Sequence, residues 1–213
     1  MIVDERMVTY INSLDKGNTP FLNELEKEAL ANYVPILRRE MQSFLQVLLQ
    51  INAPLRILEV GTAVGFSTIL MSTYAPKECK IVTIENYEKR IPIAKENFKK
   101  AGKEEQIQIL EGDAKEVLKT LSEPFDFIFM DAAKGQYIHW LPDILRVLAS
   151  RGVLISDNVL QDGRIVESRF AVERRDRTIH SRIREYLFTL THHPELISSI
   201  IPIGDGVALS TKK

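Results

Sequence analysis

A chain of 213 residues that is 45% apolar and 27% charged is long enough to bury a sizeable core in one domain, and its composition suits neither a disordered nor a membrane protein. A formal net charge of −1 argues against wholesale polyanion binding, although charge can still be concentrated locally. A single cysteine, Cys79, excludes an internal disulfide framework and favours a reducing, cytoplasmic setting. No stretch approaches the roughly 18 uninterrupted apolar residues of a membrane span, and Met1 to Met7 lacks the basic-then-apolar pattern of a leader.

From Ile2 to Asn52 the chain reads as helical, with Phe44, Leu45, Leu48 and Leu49 at spacings of three and four and interruptions at Pro20 and Pro35. Beyond Pro54 five short apolar runs follow, Arg56 to Val60, Lys80 to Ile84, Gln106 to Leu110, Phe125 to Met130 and Gly152 to Ser156, with room for a helix between each pair. That alternation predicts right-handed crossovers and a parallel sheet covered on both faces. A helix-like, arginine-rich segment then leads to Leu196 to Ile203, the turn Gly204-Asp205-Gly206, and Val207 to Ser210, an expected antiparallel hairpin. The expected organisation is α/β: one domain over 1–213, with residues 1–53 as a helical addition to a core over 54–213.

The first strand runs into Glu59-Val60-Gly61-Thr62-Ala63-Val64-Gly65-Phe66-Ser67. Glycines there let backbone approach a ligand, and the N-terminus of the following helix favours an anionic group. The spacing misses the Gly-x-Gly-x-x-Gly of dinucleotide sites and there is no Walker lysine, so nicotinamide cofactors and nucleoside triphosphates lose ground. A tight turn with no ligand is the bland alternative. Glu85, closing the second strand, is placed to accept from both hydroxyls of a ribose. Asp113-Ala114, after the third, could meet an adenine amine, or Asp113 could simply cap a helix.

Two strands end in acid: Phe125 to Met130 runs into Asp131, and Gly152 to Ser156 into Asp157-Asn158. On neighbouring parallel strands about 4.8 Å apart these residues could share one ion. Two carboxylates and an amide oxygen are hard ligands suited to Mg²⁺ or Ca²⁺, whereas His139, His180, His192, His193 and Cys79 show no zinc spacing. The alternative is that the acids cap a helix and make a turn. Lys134, three residues after Asp131, could serve beside a metal as a base.

From about Tyr33 to the C-terminus the sequence resembles the cation-dependent class I O-methyltransferases, the group that contains catechol and caffeoyl-coenzyme A O-methyltransferases. Glu59 to Ser67, Glu85, Gly112-Asp113-Ala114, Asp131-Ala132-Ala133-Lys134 and Asp157-Asn158 carry the likeness, in the family's order. The resemblance implies a Rossmann-like methyltransferase fold, a mostly parallel seven-stranded sheet with a C-terminal antiparallel hairpin and N-terminal helices. It also implies S-adenosylmethionine, held by Gly61, Thr62, Gly65 and Ser67 around the methionine part, Glu85 on the ribose, and Asp113 and Ala114 at the adenine, with Glu59 and Asp131 also at the cofactor. Asp131, Asp157 and Asn158 match its Mg²⁺ ligands and Lys134 its proposed base. A homodimer, through the N-terminal helices, is a further family expectation.

Between Arg164 and Arg184 seven arginines stand against Glu167, Glu173 and Asp176, a basic excess that could contact phosphate or form a solvated helix with internal ion pairs. The segment resembles the bacterial branch that methylates 5-hydroxyuridine at the tRNA wobble position to 5-methoxyuridine, which implies the anticodon loop as partner. The rivals are a catechol-type small-molecule O-methyltransferase and a noncatalytic nucleotide-binding module whose acids only cap helices.

Overall fold

A computed structural model describes residues 2–213. Three helices come first: α1 (Glu5–Ser13), α2 (Pro20–Ala31) and α3 (Arg39–Asn52). Pro20 starts a helix rather than breaking one. At the first helical position its missing N–H costs nothing, and the Thr19 hydroxyl accepts from the Leu22 N–H to cap the turn. Five strand–helix alternations follow: β1 (Arg56–Val60), α4 (Phe66–Tyr74), β2 (Lys80–Glu85), α5 (Ile91–Lys100), β3 (Ile107–Glu111), α6 (Ala114–Thr120), β4 (Phe125–Met130), α7 (Tyr137–Val147), β5 (Leu148–Ser156) and α8 (Arg177–His192). The chain closes with β6 (Leu196–Ile201) and β7 (Val207–Lys212).

These form one seven-stranded sheet in the order β3-β2-β1-β4-β5-β7-β6. The first five strands are mutually parallel, and β7 lies antiparallel between β5 and β6. Strand order reverses between β1 and β4, the place where open α/β sheets bind ligands outside the carboxyl ends of their strands. β5 begins four residues before the apolar run that marks it in the sequence, and the arginine-rich segment is only partly helical. Residues 167–176 are turns, and three of the seven arginines lie on α8.

Alternate residues on each strand feed opposite faces. Leu58, Val60, Ile128 and Met130 pack with α6, α7 and α8 residues such as Leu118, Ile144 and Ile183. Ile57, Ile81, Phe127 and Phe129 pack with Leu45 and Leu49 of α3 and Phe66 and Ile69 of α4. The N-terminal helices α2 and α3 therefore share one core with the sheet. No helix among the described residues is long and apolar enough to cross a membrane.

Candidate active site

The register that pairs Met130 with Ser156 delivers Asp131 and Asp157 side by side at the carboxyl edge. Together with Lys134, Asn158, Asp205, Gly204 and the stretch Pro35 to Arg38 they line an acidic pocket of about 220 Å³. Asp157 is 4% exposed and accepts from the Asn158 N–H at 2.7 Å. Burial first, and the Asp131 charge second, push its carboxyl well above the usual carboxylate range. Burial also raises Asp131, against the pull of the Lys134 ammonium 3.7 Å away. Two neighbouring carboxylates that resist ionisation, Asp157 buried and Asp131 partly exposed, are suited to a compensating cation. No group of three or more His, Cys, Asp or Glu side chains is placed to hold a metal among the described residues, so an ion here would rest on two carboxylates and the Asn158 amide oxygen. Asp131 caps neither the short turn at Lys134–Gln136 nor α7, which have no side-chain cap, and that removes the helix-cap alternative for it.

Tyr137 braces this edge from beneath. Its hydroxyl donates to the carbonyl of Met130 at 3.1 Å, lies 3.4 Å from that of Asp157, and accepts from the Ala132 N–H at 3.1 Å. Tyr137→Phe should cost about 1–3 kcal/mol, the penalty for leaving the Ala132 N–H without its partner, while the Met130 carbonyl keeps the Asp157 N–H. Urea unfolding checks this, and a loss below about 0.5 kcal/mol, the range of an inconsequential surface change, would contradict the bracing role.

On the other side of the strand reversal a crevice of about 450 Å³ is lined by Gly61, Glu85, Asp113, Ala114, Gln136 and Trp140, among others. Of the residues expected at the cofactor, Gly61, Glu85, Asp113 and Ala114 come together here and Asp131 lies in the adjoining pocket. The Glu85 carboxylate accepts from the Ala63, Asn86 and Tyr87 N–H groups at 2.7, 3.0 and 2.9 Å, fixing the glycine loop to the end of β2. Asp113 caps α6 by accepting from Lys115 N–H at 2.8 Å while it lines the crevice, so both readings of that residue coexist. Trp140, the chain's one tryptophan, presents a buried indole N–H with no partner among the described residues.

Glu59, Thr62, Gly65 and Ser67 do not line the crevice. Glu59 and Thr83 are register partners on β1 and β2, both on the α4 face, and Glu59 is fully buried. Ser67 and Thr83 donate to its carboxylate, each at 2.5 Å, and Thr68 donates as well. Thr62 bonds Thr83 at 2.6 Å, and Gly65 packs under the Phe98 ring at φ 86°. The Glu59 cluster thus supports the loop from behind. Burial pushes the Glu59 carboxyl up to about 7. The folded state therefore holds this proton more tightly than the unfolded chain, and the resulting stability, about 4 kcal/mol, is fully present below about pH 4.3 and lost as pH rises through 7. Glu59→Gln should flatten that part of the profile in urea titrations between pH 4 and 8. Parallel profiles for the two proteins would contradict the assignment.

Three members of the site carried no signal in their local sequence: Arg38, Asp205 and Tyr137. Five of the seven arginines are already engaged: Arg164 with Asp176, Arg175 with Glu173, and Arg177, Arg182 and Arg184 with the carbonyls of Val172, Gly135 and Ile165.

The O-methyltransferase family model matches residues 12–213. A catechol O-methyltransferase from Niastella koreensis is 38% identical over 168 residues, 77% of this chain and 70% of that protein. Caffeoyl-CoA O-methyltransferase 2 from Populus trichocarpa is 30% identical over 177 residues, 78% of this chain and 70% of that one. Among solved structures, the O-methyltransferase from Bacillus cereus in complex with SAH superposes with a TM-score of 0.86 at 25% identity, covering 98% of this chain and 97% of that chain. A family match over nearly the whole length, a relative of this identity and a shared Rossmann-like fold lead to one conclusion: the chain belongs to the O-methyltransferase family.

Proposed function

We propose that the protein transfers a methyl group from S-adenosylmethionine, with Mg²⁺, to a hydroxyl that has a second oxygen beside it, and that the acceptor is 5-hydroxyuridine at the tRNA wobble position. The observation that carries the reading is the junction of the two cavities. Gly61, in the wall of the crevice, touches the backbone of Asp131, in the wall of the acidic pocket, so closely that a Cβ on Gly61 would overlap the Asp131 carbonyl. A ligand in the crevice thus abuts one in the pocket.

The crevice volume lies within the roughly 300–1,000 Å³ of small-ligand sites. Glu85 keeps acceptor capacity beyond its three N–H partners for a ribose hydroxyl, Asp113 and Ala114 stand where an adenine would end, and the unpartnered Trp140 N–H awaits an acceptor. Bound S-adenosylmethionine supplies the electrophilic methyl. Asp131, Asp157 and Asn158 would hold Mg²⁺, which supplies the charge that lowers a hydroxyl's pKa and fixes its position. Lys134, in the same pocket, would take the hydroxyl proton at Nζ after releasing its own ammonium proton to solvent.

For the acceptor, support comes from the loop that follows β5. Arg169 and Arg174 are exposed and carry no ion pair or carbonyl bond among the described residues, and Phe170 between them is 82% exposed. Free guanidinium groups around an exposed ring suit phosphate contact and base stacking. The exposed apolar face of α1, Met7, Tyr10, Ile11 and Leu14, supports a homodimer through the N-terminal helices. A catechol acceptor is the second reading, favoured by the name of the Niastella relative. Mass spectrometry of tRNA nucleosides from cells lacking the protein tests the choice. Accumulated 5-hydroxyuridine without 5-methoxyuridine is expected, and an unchanged profile would contradict it.

A further inference from the structure

We propose that Arg38 is a positioning residue for the acceptor, a clasp that fixes the outer wall of the acidic pocket; this rests on reading that pocket as the acceptor site. Arg38 occupies the N-cap of α3 with extended backbone and no side-chain cap bond, a place that Ser, Thr, Asp or Asn would fill if capping were the purpose. Its guanidinium turns outward instead. It donates to the Gly204 carbonyl at 3.3 Å and to the Asp162 carboxylate at 3.2 Å, joining three segments far apart in the chain: the Pro35 to Leu37 wall, the turn between β6 and β7, and the loop after β5.

That loop is held in an unusual shape. Asn158, Gln161 and Asp162 all have positive φ (57°, 51° and 52°), a run that is uncommon outside glycine, although Asn and Asp tolerate it better than Gln, and that neighbouring contacts enforce here. The enforcement comes from the same turn. Asp205 accepts from the Asp162 N–H through its carboxylate and from the Leu160 N–H at 2.9 Å through its carbonyl, and the Gly206 carbonyl accepts from the Val159 N–H at 2.9 Å. Asn158, Gly204, Asp205 and Arg38 all face the pocket, so the clasp sets the width of that cavity. Half-exposed ion pairs add little to global stability. Arg38 therefore matters for the position of the wall and not for the fold.

The test compares wild type, Arg38→Ala, Arg38→Lys and Asp162→Asn, using hydroxyuridine-bearing tRNA and a simple catechol as acceptors, SAH titration, and amide hydrogen exchange. Arg38→Ala should raise the acceptor KM about threefold to fivefold, the reach of a half-exposed ion pair worth at most about 1 kcal/mol, with kcat and SAH affinity within about twofold. Asp162→Asn should raise KM in the same direction, Arg38→Lys should recover part of the loss, and exchange should rise at residues 34–38 and 158–163. An unchanged KM, or equal losses in KM, kcat and SAH affinity, would overturn the clasp. If wild type methylates neither acceptor, the acceptor reading fails separately, and exchange decides the clasp alone: raised exchange supports it and unchanged exchange overturns it.

Discussion

Asp157→Asn should abolish most methyl transfer while making the metal-free protein more stable. The two effects have one cause. Asp157 is 4% exposed beside Asp131, and burial and like charge together oppose its ionisation. With no cation present, exchanging this carboxylate for an amide removes a repelled buried charge and keeps an oxygen for the Asn158 N–H, so the melting temperature in chelator should rise. Transfer should fall by roughly 10²–10³-fold, the several kcal/mol of charge stabilisation that a bound cation contributes. Added Mg²⁺ should raise the melting temperature of the wild type and leave the variant nearly unchanged. A variant that loses activity and stability together in chelator would mark Asp157 as a structural residue instead.

Gly61→Ala is the second large effect, and it should damage both cavities. Gly61 sits at φ 106°, donates its N–H to the Ile84 carbonyl at 3.0 Å, and leaves no room for a Cβ, which would strike the Asp131 backbone. A flexible side chain could move aside, but this backbone is tied, because the Asp131 N–H donates to the Val60 carbonyl at 3.0 Å. The expected cost is about 3–5 kcal/mol, from backbone strain and overpacking together. SAH binding and transfer should both be lost. Gly102→Ala is the control: φ is 63° there, yet no atom lies within 4 Å of the added methyl, so only the left-handed strain of about 1–2 kcal/mol remains. Equal denaturant midpoints for the two variants would contradict the role given to the Gly61–Asp131 contact.

The parallel sheet was legible because its central strands β1 and β4 are buried on both faces and read as continuous apolar runs, each stopping at a carboxyl edge. Asp131 and Asp157 could be paired because adjacent parallel strands carry their terminal residues to one place. Asp205 could not. It reaches the pocket only because β7, the last strand, inserts between β5 and β6, and nothing in the hairpin's sequence specifies which of its strands meets β5. The family resemblance puts Glu59 at the cofactor. The two-residue period instead puts it with Ile57 on the α4 face, where Ser67, Thr68 and Thr83 receive it. Arg38 carries no signal in the sequence, since its partners lie more than a hundred positions away. The arginine run reads either as charge for phosphate contact or as a solvated helix with internal ion pairs, but composition does not reveal carbonyl partners, and Arg177, Arg182 and Arg184 spend theirs on backbone.

The most direct test of the account is transfer of radiolabelled methyl from S-adenosylmethionine to an anticodon stem-loop carrying 5-hydroxyuridine, measured in Mg²⁺ and in chelator, beside a catechol at matched concentration. The account predicts transfer to the stem-loop in Mg²⁺ and its loss in chelator. Equal transfer with and without chelator, or transfer to the catechol alone, would contradict it.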